Sequence, residues 1–166
     1  MGDYPLESLL SVRHFREEGA KRTVRYAELA VREAEEQVQA CQKALEDYRV
    51  WRAEEEERRY DAIMQKVMSL AEIDRFKAGL AQLAAGETAK EEEIRKAEKQ
   101  VLEAEKALTA ARSAAKQAMK NTAKIAAHKD IWSEEEKKEA EHKADLELEE
   151  FRPLSRRGAE AEGEDA

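Results

Sequence analysis

The chain has 166 residues, 41% of them charged and only 5% aromatic, with a net charge of −8. An acidic balance excludes general nucleic-acid binding, which needs a basic face. The Ala-, Glu-, Lys- and Leu-rich composition argues against a compact core of bulky side chains and leaves long helices or disorder, between which periodicity decides.

The single cysteine, Cys41, rules out an intramolecular disulfide. No apolar run approaches the roughly 20 residues of a membrane-spanning helix. The start, "MGDYPLESLL", lacks the basic opening and long apolar stretch of a secretory signal, so a soluble cytoplasmic protein is expected.

The only prolines are Pro5 and Pro153. Pro is tolerated in the first turn of a helix but breaks a helix interior, so the pair brackets one helical region. Residues 1–4 read as an extension and 5–68 as a first long helix. Val24, Ala27, Val31, Ala34, Val38, Cys41, Leu45 and Tyr48 alternate three and four apart, which is a heptad seam.

The block "DYRVWRAEEEERRYD", Asp47 to Asp61, then interrupts the pattern. The next seam places are Arg52, Glu55, Arg59 and Ala62, and apolar spacing resumes one residue out of frame at Tyr60, Ile63, Val67 and Leu70. Such a skip changes the supercoil locally. Tyr48 and Trp51 then close the paired region while the charges solvate the surface. Alternatively, Trp51 and Tyr60 belong to a docking surface near the bend.

Two turns compete. "SLAE" offers Ser69 as an N-cap with Glu72 three residues on, placing the turn at 69–71. "GETAKE" offers Gly86 and Thr88, placing it at 86–88. The first is favoured, because the apolar frame stays in phase across Gly86. A second long helix is expected over 70–150. Its seam runs through Ile73, Phe76, Leu80 and Leu83, then Ile94, Ala97, Val101, Ala104, Leu108, Ala111, Ala115, Ala118, Thr122 and Ile125, with Trp132 in frame. Residues 151–166 lack a period and read as a disordered acidic tail.

Neither seam can be buried by its own helix. The expected fold is all-α: a long antiparallel two-helix coiled-coil hairpin, monomeric, with residue i opposite roughly residue 138 − i.

Enzyme chemistry is not expected. There is no GxxxxGK[ST] phosphate loop. His128 and His142 share a face but lie about 21 Å apart along a helix, too far for one metal. Cys41 occupies a seam position suited to a small buried thiol. No catalytic residue, cofactor or metal is assigned.

The order of "YPLESLLSVRHFREE", the Trp51 block, "AEIDRFKAGLAQL" and a helix ending at "EEF" resembles the YscO-type proteins of bacterial type III secretion, relatives of the flagellar FliJ protein. The resemblance implies a hairpin similar to the gamma-subunit stalk of rotary ATPases. It further implies that the paired termini enter the pore of a hexameric secretion ATPase, while the bend reaches the export-gate ring. The location implied is the cytoplasmic base of the secretion apparatus.

On this chain the ATPase-binding positions would be Leu6, Leu9, Leu10, Val12, Arg13, Arg16 and Arg22. They lie in a segment that is basic within an acidic chain. The export-gate positions would be Phe76, Leu80 and Leu83, although Gly79 stands where some relatives carry a bulky side chain. Simple seam packing accounts for both sets as well. Two other roles remain open: an escort protein that binds secretion chaperones, and a self-associating structural coiled coil. The alanine-rich seams also predict a marginally stable hairpin that firms up on binding.

Overall fold

The computed structural model describes residues 2–160, with side chains to Phe151. It contains two helices, α1 (Glu7–Ile63) and α2 (Leu70–Glu160), packed antiparallel as a hairpin. The chain divides into two compact units. One is Lys21–Ser113, which contains the bend; the other joins the residues up to Ala20 with those from Ala114 onward.

In the bend unit the covered positions follow the heptad frame. Leu45, Leu83, Ala97 and Ala111 are buried, and Val24, Val31, Val38, Cys41, Ile94, Val101 and Leu108 are half-buried. Alanine in a seam lets two backbones approach closely but buries little area per residue. Glu28 and Arg112 pair across the helices at 3.3 Å, and Tyr60 meets Phe76 near the bend. These contacts fix an antiparallel register within a few residues of the one the periodicity gives.

The turn differs from its sequence reading. α1 ends at Ile63, not at Met68. Gln65 takes the left-handed conformation (φ 67°), and the Lys66 amide donates to the Ile63 carbonyl at 3.2 Å. A left-handed residue closes a helix wherever it falls, and here it is a glutamine, so composition did not mark it. Residues 64–69 form the connection, and Leu70 already begins α2.

Ser69 caps α2. Its amide donates to Glu72 Oε2 (2.7 Å), and the Glu72 amide donates to Ser69 Oγ (3.3 Å), a reciprocal capping box. The Ser69 amide, then its hydroxyl, holds the Glu72 carboxyl below its ordinary pKa.

Residues 86–88 are helical. Gly86 faces the Tyr48 ring, and the Thr88 hydroxyl donates back to the Ala84 carbonyl at 3.3 Å.

In the terminal unit, Leu10, Ala115 and Thr122 are buried. α1 starts at Glu7 rather than at residue 5; Pro5 lies in the preceding turn, where the Glu7 amide donates to the Tyr4 carbonyl at 3.1 Å. At the other end the helix passes the expected stop at 150 and continues through Pro153 to Glu160. Residues 161–166, the rest of the expected tail, lie outside the described residues.

Candidate interaction site

The acidic and aromatic block of α1 does not leave the seam. Its frame continues through half-buried Arg52, buried Glu55 and half-buried Arg59. Burying a carboxylate is costly unless it is paired, and Glu55 is paired twice. Arg59 Nε donates to it at 2.9 Å, and Arg58 forms a second ion pair. Glu55 was expected to be solvated with its neighbours. It is 8% exposed in the seam, where the ion pairs with Arg58 and Arg59 of its own helix offset part of the cost of burying its charge, although Oε2 accepts no hydrogen bond.

Across the seam, α2 supplies Glu87. Arg49 Nε donates to Glu87 Oε1 (2.7 Å) and Arg52 donates to Oε2 (2.5 Å), while Arg49 also reaches Glu91 (3.2 Å) and Arg52 pairs with Glu56 (2.7 Å). Hydrogen bonds from Arg49, then Arg52, hold the Glu87 carboxyl below its ordinary pKa. The same contacts raise the two guanidinium groups: Arg49 mainly through Glu87, and Arg52 through Glu56 first.

Tyr48 borders this layer. Its hydroxyl donates to the Leu83 carbonyl at 2.7 Å. Its ring fills the space a side chain at Gly86 would need, so that a methyl group there would overlap the phenol. Gly86 is therefore a notch for Tyr48. Arg59 lies in the same way beside Gly79.

Trp51 and Tyr60 are both half-exposed, and each leans on another ring. Trp51 packs on Tyr48 (centroids 5.4 Å apart), and Tyr60 meets Phe76 edge-on (5.1 Å, 72°). Of the three positions implied for gate binding, Leu83 is buried, Phe76 is covered in part by Tyr60, and Leu80 is half-buried. The open apolar side chains of the bend are others: Met64 (68% exposed), Val67 (103%) and Leu70 (81%). Sequence reasoning placed Val67 and Leu70 in a seam. The signal that could have separated them is their position past the last turn of α1.

In the terminal unit, Tyr4 is the anchor. It is buried, its hydroxyl lies 2.7 Å from His128 Nδ1, and its ring packs on Trp132 (5.5 Å). Lys129 sits over that ring and pairs with Glu7 at 2.7 Å. Of the implied ATPase-binding positions here, Leu10 is buried, Leu9 and Arg13 are half-buried, and Leu6, Val12 and Arg16 are exposed. Phe15, absent from that set, is 73% exposed. In the bend unit, Arg22 is exposed.

Among the described residues no group of three His, Cys, Asp or Glu side chains is placed to hold a metal. Cys41 is a half-buried free thiol that accepts a 3.6 Å hydrogen bond from Gln37. No helix of the described residues is long and apolar enough to cross a membrane.

Side chains that converge on a helix–helix seam, with arginines and apolar groups left on its margins, define an all-α coiled-coil hairpin. The chain belongs to the YscO family of type III secretion proteins: the family model for type III secretion protein YscO matches residues 6–153. The crystal structure of YscO from Vibrio parahaemolyticus is similar, with a TM-score of 0.81 at 26% identity, over 88% of this chain and 92% of that one. A protein described as a YscO homologue, from Chlamydia trachomatis, shares the fold with a TM-score of 0.75 at 22% identity, over 97% of this chain and 99% of that one. No curated protein sequence matches the chain.

Proposed function

We propose that this YscO-family protein is a stalk component of a bacterial type III secretion system, acting at the cytoplasmic base of the apparatus as a regulator of a partner enzyme. Its terminal segments bind the pore of the hexameric secretion ATPase and promote its assembly and activity. Its bend contacts the export-gate ring. The family match across residues 6–153 carries this reading.

The surfaces support it in their chemistry. Leu6, just before α1, and Val12 and Arg16, on its first turns, are open, with Phe15 beside them. Basic residues in an acidic chain favour encounter with an acidic wall and orient the docking more than they add affinity. At the bend, Met64, Val67 and Leu70 offer an apolar surface of the kind that seats in a groove. Leu10 and Leu83 are buried and hold the helices together rather than facing a partner.

The test is direct. The full-length chain is expected to bind the purified ATPase and raise its turnover, and Arg13→Glu with Arg16→Glu is expected to abolish both without loss of helicity. Absence of binding or stimulation by the unaltered chain overturns the stalk role. Co-purification with secretion chaperones alone would assign the escort role instead.

A further inference from the structure

The charged layer divides the seam of the bend unit into two kinds of closure. From Val24 to Leu45, α1 meets α2 mainly through aliphatic and small side chains, with an exposed ion pair, Glu28 with Arg112, at its margin. At Arg49 and Arg52 it meets α2 through ion pairs with Glu87 and Glu91, bordered by the Tyr48 hydroxyl in its hydrogen bond to Leu83, while Glu55 and Arg59 pair within α1 beside them. Beyond the layer, the edge-on contact of Tyr60 with Phe76 stands next to the exposed turn. Ion pairs between part-exposed groups weaken with salt, whereas aliphatic contacts do not.

We propose that the segment running from Tyr48 and Gly86 to the turn is a clasp that opens independently of the apolar seam, and that its opening uncovers Phe76, Leu80 and Leu83. The hairpin stays joined below it, so the opening is local. The device fits the chemistry of each part. Tyr48 must leave the Gly86 notch, and the two helix segments, no longer packed on each other, then fray locally. Glu55 keeps Arg58 and Arg59, both on its own helix, so it is not left as a bare charge when the helices separate. Within this segment the Glu87 pairs with Arg49 and Arg52, and the Glu91 pair with Arg49, cross between the helices. Opening exchanges those three for water.

The clasp also explains how side chains covered in the closed hairpin become available to a partner. That consequence rests on the export-gate reading above, but the clasp itself does not.

Amide hydrogen exchange on the isolated full-length chain tests the clasp apart from any partner. Between low salt and 0.5 M NaCl, protection over residues 52–60 and 76–87 is expected to fall about tenfold, while residues 27–45 and 97–111 keep theirs. Glu87→Gln is expected to reproduce the high-salt pattern at low salt, with helicity unchanged by circular dichroism. Equal loss in both regions, or no loss in either, overturns the proposal. So does a Glu87→Gln chain whose protection matches that of the unaltered protein.

Discussion

Two stretches of one seam, a few turns apart, solve the same problem by different means. Around Leu45 and Ala97 the helices are joined by removing apolar area from water. Around Glu55 and Glu87 they are joined by arginines that neutralise carboxylates within and across the helices. The first kind of closure depends little on salt, since its exposed cross-helix pair, Glu28 with Arg112, adds little to the apolar contact. The second fixes register, because each charge needs its own partner, and it yields when those partners are screened or protonated. A continuous heptad frame therefore does not imply uniform stability along a hairpin.

The largest expected effect falls in the aliphatic stretch. Leu45→Ala removes a buried side chain there and should cost about 2–4 kcal/mol in urea unfolding, with the same loss at low and high salt. A salt-dependent loss would blur the distinction between the two stretches.

Gly86→Ala probes the other stretch through the Tyr48 notch. Helix propensity alone makes this substitution favourable by about 1 kcal/mol. The ring and its hydrogen bond to Leu83 must move, so the net effect is expected to be a loss of about 1 kcal/mol. In a Tyr48→Ala background the sign should reverse to a gain of about 1 kcal/mol. Thermal unfolding of the four proteins of this cycle decides it; an unchanged sign removes the notch.

Ser69→Ala breaks the capping box at the start of α2 and should cost about 1 kcal/mol or slightly less. Because it acts at the turn, its exchange signature should appear beside the charged layer and not at Leu45.

The smallest effect is the pH dependence of Glu87. Its carboxyl pKa is lowered in the folded chain by Arg49 and then Arg52. The stabilisation is therefore fully present above the ordinary glutamate pKa and is lost as pH falls through the lowered folded value. Melting curves from neutral to acid pH should show a shallower decline for Glu87→Gln than for the unaltered chain. Parallel curves would remove Glu87 from the closure.

Much of this fold was legible in the sequence, since a heptad seam is a one-dimensional pattern and each helix carries its own. The covered faces of α1 and α2 follow Val24 to Tyr48 and Ile94 to Ile125 for that reason. The Ser69–Glu72 cap was equally local. What escaped were features that need side-chain placement, the second helix or a backbone angle. Glu55 reads as solvent-facing until Arg58 and Arg59 are seen folded onto it. Gly86 reads as a weak point until Tyr48 fills it. Gln65 carries no compositional sign of the left-handed angle that ends α1. Tyr4 precedes the first helix and so lies outside any period, yet it anchors the terminal unit on His128 and Trp132. The surfaces offered to partners were the least legible. Exposure of Met64, Val67 and Leu70 depends on where the turn falls, and the turn lies earlier than the pattern placed it.

Spin-label distances test the division of the seam most directly. In a Cys41→Ser background, one pair of labels at Ala53 and Ala85 reports the charged stretch, and a second at Gln39 and Glu98 reports the aliphatic stretch. Raising NaCl should broaden the distance distribution of the first pair and leave the second narrow. Two distributions that respond together, or a first pair that stays narrow in high salt, would contradict a hairpin closed in two independent parts.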